Sequence, residues 1–421
     1  RERSKACYAQ DLMDDMRWLG LDWQEGVDAA GKLGPYRQSE RADIYAQYYQ
    51  MLLDKGLAYP CFCSEEQLAV SRKLQRARGQ APRYAGTCAG ISADEAKQRI
   101  AAGEQSSLRF RVPKDEVIAF DDYVEGRQSF QSNDIGDFII RRSSGSASFM
   151  FCSALDDALM AVTHVLRGED HLTNTPRQLM ILSALGLQAP IYGHISLITG
   201  SNGAPLSKRN GSRSVQDLKE QGFLPLAIVN YLARLGHYYA DNALMSLAQL
   251  ADQFTQKHLS QSPARFDEVQ LLFWQRQVVA IQTVDELLAW MGEELLSALP
   301  AEKHALFVKT IQPNIVFAHD AKKWVGIFSE APLAFSDEAT SIINTAGSIF
   351  FKTAAEGVKQ FGVDNKAVCE HIKTTLQVKG KSLFMPLRVA LTGETHGPEM
   401  VGIFALLGAD RLIQRLEGLS T

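Results

Sequence analysis

The alternation of apolar and polar positions divides the chain into a mixed first part and a helical last part. Leu12, Met16 and Leu19 recur at helical spacing behind Ser4, a capping residue type, and Gly20 closes this first predicted helix. From Ser148 to Arg213 the pattern reads as strand, turn, strand, helix, strand and then a basic, glycine-flanked loop. Ala161–Arg167 alternates Val162, His164 and Leu166 against Thr163, Val165 and Arg167, which predicts a strand. Thr175 is placed to cap a helix that has Pro176 at its first position and Gly186 just past its end. A third strand is predicted around Ile195–Ile198, delivering the chain to Ala204 and the loop beyond. Polar residues thus gather at strand ends, where ligands bind in open α/β sheets.

Further on, Ser214-x-x-Asp217 has the form of a capping box, and a helix from Pro225 to Gly236 sets Leu224, Ile228, Leu232 and Leu235 along one side. From Thr283 the chain reads as helix after helix. Thr283-x-x-Glu286 starts one whose apolar face carries Leu287, Leu288, Trp290 and Met291. No sequence repeat of the kind that builds solenoids is present.

Composition narrows the class. A chain of 421 residues holds roughly two to four domains. Hydrophobic content of 46% with 22% charged residues is that of a globular protein, and no apolar run reaches the ~18 residues that span a bilayer. A net charge of −4 announces no nucleic acid globally, which leaves local basic patches as the means of binding one. Cys7, Cys61, Cys63, Cys88, Cys152 and Cys369 are irregularly spaced, against a secreted disulfide framework, so a cytoplasmic location is expected. Cys61-x-Cys63 with Cys88 suits either a tetrahedral zinc site or three reduced thiols in a core, and spacing alone leaves both open. Arg72, Lys73, Arg76, Arg78 and Arg83 form a basic run whose simplest reading is a solvated helix face.

Two motifs carry a resemblance. Val165-Leu166-Arg167-Gly168-Glu169-Asp170-His171, continued by Asn174-Thr175-Pro176-Arg177-Gln178, resembles the second-half strand and helix of the glutamyl-tRNA synthetase family of class I aminoacyl-tRNA synthetases. Pro205-Leu206-Ser207-Lys208-Arg209 resembles that family's KMSKS loop, which normally reads K-L-S-K-R. Leu-Ser-Lys-Arg alone is a weak signal. Downstream of an R-G-E-D-H strand end, with the right helix and strand between, it is a specific one. Arg17–Trp23, Gly34–Arg41 and the C-terminal block Lys381–Arg388, Leu391-Thr392-Gly393, Gly397-Pro398 and Leu406-Leu407-Gly408 extend the resemblance over essentially the whole chain.

The resemblance implies an α/β fold: a class I Rossmann-type catalytic domain in two parts (1–46 and 148–200), an α+β acceptor-arm insertion (47–147), a KMSKS loop and stem-contact domain (201–282) and an all-α anticodon-binding region (283–421). In the family, R-E-R-S follows an E-D-T-D segment and, before it, a strand and helix bearing the HIGH motif. The expectation is therefore a chain lacking the first part of its nucleotide-binding fold, and inactive alone.

The implied reaction is ATP-dependent activation of L-glutamate to glutamyl-adenylate and transfer to the 3' end of tRNA(Glu), by a monomer without membrane association. Lys208, with Ser207, would neutralise charge on the phosphates together with Mg²⁺. Asp170 and Ile198 fall at positions lining the ATP pocket. Arg167 matches the arginine that holds the amino acid, with Phe149, Ser153 and His171 on the glutamate side. Phe149 departs from the family's tyrosine and forfeits one hydrogen bond, worth about 0.5–1.5 kcal/mol. The family's C-x-C and Y-x-x-x-C-x-H pattern implies zinc on Cys61, Cys63 and Cys88, but Gly90 replaces the histidine, leaving Tyr84 as the fourth ligand. The basic run would meet the tRNA acceptor end. Three rivals are weighed: a short base-glutamylating paralogue and glutaminyl-tRNA synthetase, both disfavoured by the helical C-terminal texture, and a tRNA-binding protein without catalysis. Additional charging of tRNA(Gln) stays open.

Overall fold

Helix α1 (Ala6–Trp18) begins the part of the chain that the computed structural model describes, residues 6–200, 202–206, 213–329 and 332–420. Ser4, the expected cap, lies outside it. Leu19 is buried but Leu12 is exposed, so only the C-terminal end of the apolar stripe is seated. Helix α2 (Ala42–Asp54) buries Tyr45, Tyr49 and Leu52 along one face.

A segment rich in strands follows. It comprises β1 (Ala58–Cys61), α3 (Glu65–Ala77), α4 (Ala93–Ala101), β2 (Ser107–Phe110), β3 (Val117–Asp122), β4 (Gly126–Gln131), the short α5 (Ser132–Ile135) and β5 (Phe138–Arg141). Strands β1, β2 and β5 form an antiparallel sheet in that order, with Phe110 opposite both Ala58 and Phe138. Strands β3 and β4 form a separate hairpin, in register from Val117 opposite Gln131 to Asp122 opposite Gly126. Leu52, Leu108, Phe110 and Ile140 share one core with Phe151, Leu155 and Ile181 from the next part of the chain. The segment is therefore packed onto the part of the chain that follows it.

That next part departs from expectation at its start. Ser148–Leu159 is not a strand: it folds as helix α6 (Phe149–Leu159), preceded by Ser148 at the cap position. Phe151, Cys152, Ala154 and Leu155 are the buried residues, spaced for one helix face, and a short apolar run cannot be told from a strand by hydrophobicity alone. Strand β6 (His164–Gly168), α7 (Thr175–Leu185) and β7 (Ile191–Ile195) then form a parallel crossover unit, with Arg167 opposite His194. The β6 strand begins later than predicted. The third strand runs Ile191–Ile195 rather than Ile195–Ile198, since Pro190 and not the loop marks its boundary. Gly186 closes α7 in the left-handed conformation as predicted, but Thr175 lies inside the first turn and caps nothing.

Helix α8 (Val215–Glu220) carries the expected Ser214–Asp217 capping box, and α9 (Pro225–Gly236) has the expected bounds. Leu224, Ile228 and Leu235 join a core with Phe223, Leu271 and Trp274, whereas Leu232 is 43% exposed, so the apolar stripe is narrower than predicted. From Val284 on, the described residues contain helices and no strand, opening with the Thr283–Glu286 capping box. Their core includes Leu287, Phe307, Phe351, Leu387, Ile403 and Phe404. Arg388 and Arg415 point into it, donating to the carbonyls of Pro398 and Ile327 at 2.5 Å each. No helix among the described residues is long and apolar enough to cross a membrane.

The β3–β4 hairpin docks edge-on against β7. Tyr123 N–H donates to the Tyr192 carbonyl at 3.1 Å, and a Cβ placed on Gly193 would come within 2.5 Å of the Tyr123 ring. Glycine inside a strand often marks such a close approach. Gly193→Ala should destabilise the protein by about 1–3 kcal/mol through overpacking. Combined with Tyr123→Ala, which vacates that space, the loss should fall short of the sum of the two single losses in denaturant titrations. Additive losses would contradict the contact.

Candidate functional site

Arg167 sits one residue before the end of β6, and its guanidinium lies at the centre of a buried polar chain. Its Nε donates to His194 Nε2 at 3.1 Å, and its Nη2 donates to Thr175 Oγ1 and to Gln178 Oε1, both at 2.7 Å. His194 Nδ1 is 2.5 Å from Asp122 Oδ2. Asp122 Oδ1 accepts three backbone N–H groups, from Val124 (3.0 Å), Glu125 (2.9 Å) and His194 itself (3.1 Å). Thr175, Gln178 and His194 are each 0% exposed. Because Nε2 faces an N–H that can only donate, His194 carries its proton on Nδ1 and gives it to Asp122. Burial lowers the pKa of His194, outweighing the Asp122 carboxylate beside it, so the ring is neutral. Burial pushes Asp122 upward, but the Glu125 N–H, the imidazole and the remaining N–H groups bring it below the usual range.

Three of the five N–H groups of Arg167 are thus taken by the protein. The edge at Nη1 has no acceptor among the described residues, and two polar atoms of neighbouring residues, Gln178 Nε2 and the Tyr192 hydroxyl, are buried without a partner. The guanidinium also lies 4.9 Å from the Tyr192 ring centroid.

Around this arginine the chain brings Phe149 and His171 together, their rings 5.1 Å apart. His171 Nδ1 is 3.2 Å from Asn174 Nδ2. Ser153 stands one helical turn before Asp157 on α6. Gly168 lets Asp170 fold back, since a Cβ there would meet Asp170 Oδ1 at 2.6 Å. The Ile198 carbonyl accepts from Leu206 N–H at 2.9 Å, and Thr199 bridges Pro205, so the chain after β7 doubles back antiparallel. Pro205 and Leu206 stand at the base of that turn, whereas Ser207, Lys208 and Arg209 lie outside the described residues.

A second cluster lies in the strand-rich segment before α6. The sulfurs of Cys61, Cys63 and Cys88 are all within 4.8 Å of one another, with Cys63 and Cys88 3.6 Å apart. The Tyr84 oxygen is 3.4 Å from the Cys61 sulfur and 3.6 Å from that of Cys63, and it accepts from Cys88 N–H at 2.8 Å. Thiolates around one tetrahedral zinc stand about 3.8 Å apart, so the donor set and its spacing fit that ion. Burial pushes the Cys61 thiol up, but hydrogen bonds from Tyr84 and Arg109 offset it and bring the pKa to about 7. The Arg109 guanidinium lies 3.6 Å over the Tyr84 ring.

Helix α3 buries none of its residues. Arg72, Lys73 and Arg76 on it, and Arg78 and Arg83 after it, are exposed, as are Val70 and Leu74. The basic run is an open face.

The structure therefore assembles Arg167, Phe149, Ser153, His171 and Asp170 around one strand end, and the three cysteines with Tyr84 around one point. Sequence reasoning missed Asp122, His194 and Gln178. Gln178 was visible within a motif, whereas Gly193 and His194 precede the strand expected at Ile195–Ile198 and joined it only in the structure. Asp122 comes from another part of the chain, and no local signal tied it to Arg167.

A family model described as "tRNA synthetases class I (E and Q), catalytic domain" matches residues 1–273, and one described as "Anticodon binding domain" matches residues 282–419. Glutamate–tRNA ligase 2 of Coxiella burnetii is 52% identical over 416 residues, covering 99% of this chain and 90% of that protein. Glutamate–tRNA ligase 2 of Nitrosococcus oceani is 52% identical over 417 residues, covering 99% and 88%. A crystal structure of a glutamate tRNA ligase from Elizabethkingia meningosepticum, in complex with its amino acid, superposes with a TM-score of 0.88 at 24% identity, covering 99% of this chain and 90% of that one. That likeness shows the fold.

The site also stores a pH dependence. Burial raises Asp157 from 3.8 to about 6, assisted by Asp156 and opposed by Arg167. A carboxyl group whose pKa rises on folding adds stability that is present below the unfolded value and lost as pH rises through about 6. Asp157→Asn should therefore be more stable than the parent at pH 7, by about 1–3 kcal/mol, with the difference fading toward pH 4. Urea titrations across that range would show it, and an Asn variant equally or less stable at pH 7 would refute it.

Proposed function

This chain belongs to the class I tRNA synthetases of the E and Q type, and we propose that it is a glutamate–tRNA ligase, activating L-glutamate with ATP and transferring it to the 3' end of tRNA(Glu). The observation that carries the reading is 52% identity to glutamate–tRNA ligases along 99% of the chain. The half-buried guanidinium of Arg167, with one edge uncommitted at the end of a parallel strand, supports it.

In this reading the Nη1 edge of Arg167 takes a carboxylate of the substrate, with Gln178 Nε2 and the Tyr192 hydroxyl as further donors beside it. Phe149, Ser153 and His171 wall the same side, and Asp170 and Ile198 line the ATP side. The substrate's own carboxylate attacks the α-phosphorus and a ribose hydroxyl then attacks the adenylate, so the protein needs no nucleophile and acts by positioning and electrostatics. Lys208, with Ser207, stabilises the charge that builds on the departing pyrophosphate, and Mg²⁺ supplies further positive charge when bound. Pro205 and Leu206 hold the base of that loop.

Cys61, Cys63, Cys88 and Tyr84 would hold a structural zinc, closed by four protein ligands. The exposed cations of α3 and the turn after it face the acceptor end of tRNA, and the helices from 283 on take the anticodon end. The domain bounds are 1–46 with 148–200, 47–147, 201–282 and 283–421. We place the protein in the cytoplasm as a monomer, in keeping with its free thiols.

In the full-length enzyme, glutamate-dependent ATP–pyrophosphate exchange and glutamylation of tRNA(Glu), assayed beside tRNA(Gln), test the assignment. Lys208→Ala should lower the exchange rate by roughly 10²–10³ with a far smaller change in KM for glutamate, because an ammonium acting on charge that develops in the transition state leaves ground-state binding nearly untouched. Unchanged exchange would remove Lys208 from the mechanism. Protein purified without chelator should carry about one zinc per chain, and Cys61→Ser should release it. Zinc-free parent protein would contradict the metal site.

A further inference from the structure

Arg167 reaches the site from β6, and its Nε can be held only by an acceptor. The acceptor is His194 Nε2, 3.1 Å away on β7 and directly opposite in the strand register. A histidine offers a lone pair at Nε2 only when its proton sits on Nδ1, and here Nδ1 faces Asp122 Oδ2. Asp122 in turn cannot rotate away, because its other oxygen accepts N–H groups from Val124, Glu125 and His194. The carboxylate that sets the tautomer comes from β3, on the β3–β4 hairpin.

We propose that Asp122 and His194 are positioning residues for substrate binding: Asp122 locks His194 in the Nδ1–H tautomer, and His194 thereby orients Arg167 so that its Nη1 edge meets the substrate carboxylate. The inference rests on the glutamate–tRNA ligase reading and extends it to two residues on separate parts of the chain. Neither residue touches substrate. Their effect passes through the guanidinium, as the orienting acid of a hydrolytic triad acts through its histidine.

The chemistry of Asp122→Asn makes the idea testable. Three backbone N–H groups fix the amide oxygen where Oδ1 now sits, so the amide NH₂ replaces Oδ2 and donates to His194 Nδ1. His194 must then carry its proton on Nε2 and present N–H to the N–H of Arg167. Two donors face each other, and the guanidinium is displaced.

The experiment is glutamylation kinetics of full-length parent, Asp122→Asn, His194→Gln, His194→Leu and the Asp122→Asn/His194→Gln double variant, with thermal denaturation of each. Losing one hydrogen bond to a charged group predicts a rise in KM for glutamate of about 10- to 100-fold in Asp122→Asn, with a smaller change in kcat. Glutamine at 194 can donate its NH₂ to the Asp122 carboxylate while its oxygen accepts from Arg167, so His194→Gln should stay close to the parent. In the double variant the new amide at position 122 takes that oxygen and turns the NH₂ on Arg167, so KM should be as high as in Asp122→Asn. His194→Leu, which has no acceptor, should bind glutamate far more weakly than His194→Gln. Should Asp122→Asn fail to fold, this last pair decides the matter. A parent without glutamate-dependent activity would overturn the functional reading and the inference together. An active parent with Asp122→Asn unchanged in KM, a double variant that recovers the parent KM, or equal KM in His194→Gln and His194→Leu would overturn the inference alone.

Discussion

A buried carboxylate, Asp122, and a half-buried guanidinium, Arg167, stand on either side of a neutral histidine, and the catalytic half of the molecule is arranged to keep them satisfied. A buried charge left without partners costs several kcal/mol, and Asp122 is spared that cost by three backbone N–H groups and the histidine. The chain draws on four elements, β3, β6, β7 and α7, and satisfaction at each step rigidifies the next. It explains why the β3–β4 hairpin abuts β7, and why Gly193 stands where any side chain would collide with Tyr123. The crossover unit alone would supply the arginine. The β3–β4 hairpin supplies the carboxylate at the other end of the hydrogen-bond chain.

Around that fixed point, chemistry is divided among parts with separate cores. The cysteine cluster has its own small core with Tyr59 and Tyr84, and the C-terminal helices have theirs. Arg109 serves the cysteine region twice, donating to the Asp137 carbonyl at 3.2 Å and lying over the Tyr84 ring. Arg41 anchors α2 by an ion pair with Asp156 at 2.8 Å, reinforced by the Tyr45 hydroxyl at 2.6 Å. The carboxylate next to Asp156 is Asp157, close enough to Arg167 to feel its charge. Buried ionic groups thus cluster around α6, where they stiffen the frame and leave the Nη1 edge of Arg167 uncommitted.

Much of the architecture was legible before any coordinates. Capping boxes at Ser214 and Thr283, the bounds of α9 and the glycine closing α7 are local signals that a few residues carry in full. Ser148–Leu159 failed because its apolar residues satisfy both periods over a short run, and burial against α7 decided for helix. Thr175 failed for a different reason. Its hydroxyl is consumed by Arg167 and His194, so tertiary demand overrode the capping preference of its type. Family motifs led to Arg167 and the cysteines. They did not lead to Asp122, because the partner of a buried charge is chosen by the fold and not by its neighbours in sequence.

The tautomer of His194 tests the account most directly. Nitrogen-15 NMR of histidine-labelled full-length protein reports which ring nitrogen carries the proton. With Asp122 and Arg167 in the places described, His194 should show a protonated Nδ1 and a bare Nε2, and should remain neutral at pH 6.5, where an ordinary imidazole is about half charged. An Nε2–H tautomer, or a ring that titrates like a free histidine, would show that no chain of hydrogen bonds runs from the hairpin to the arginine.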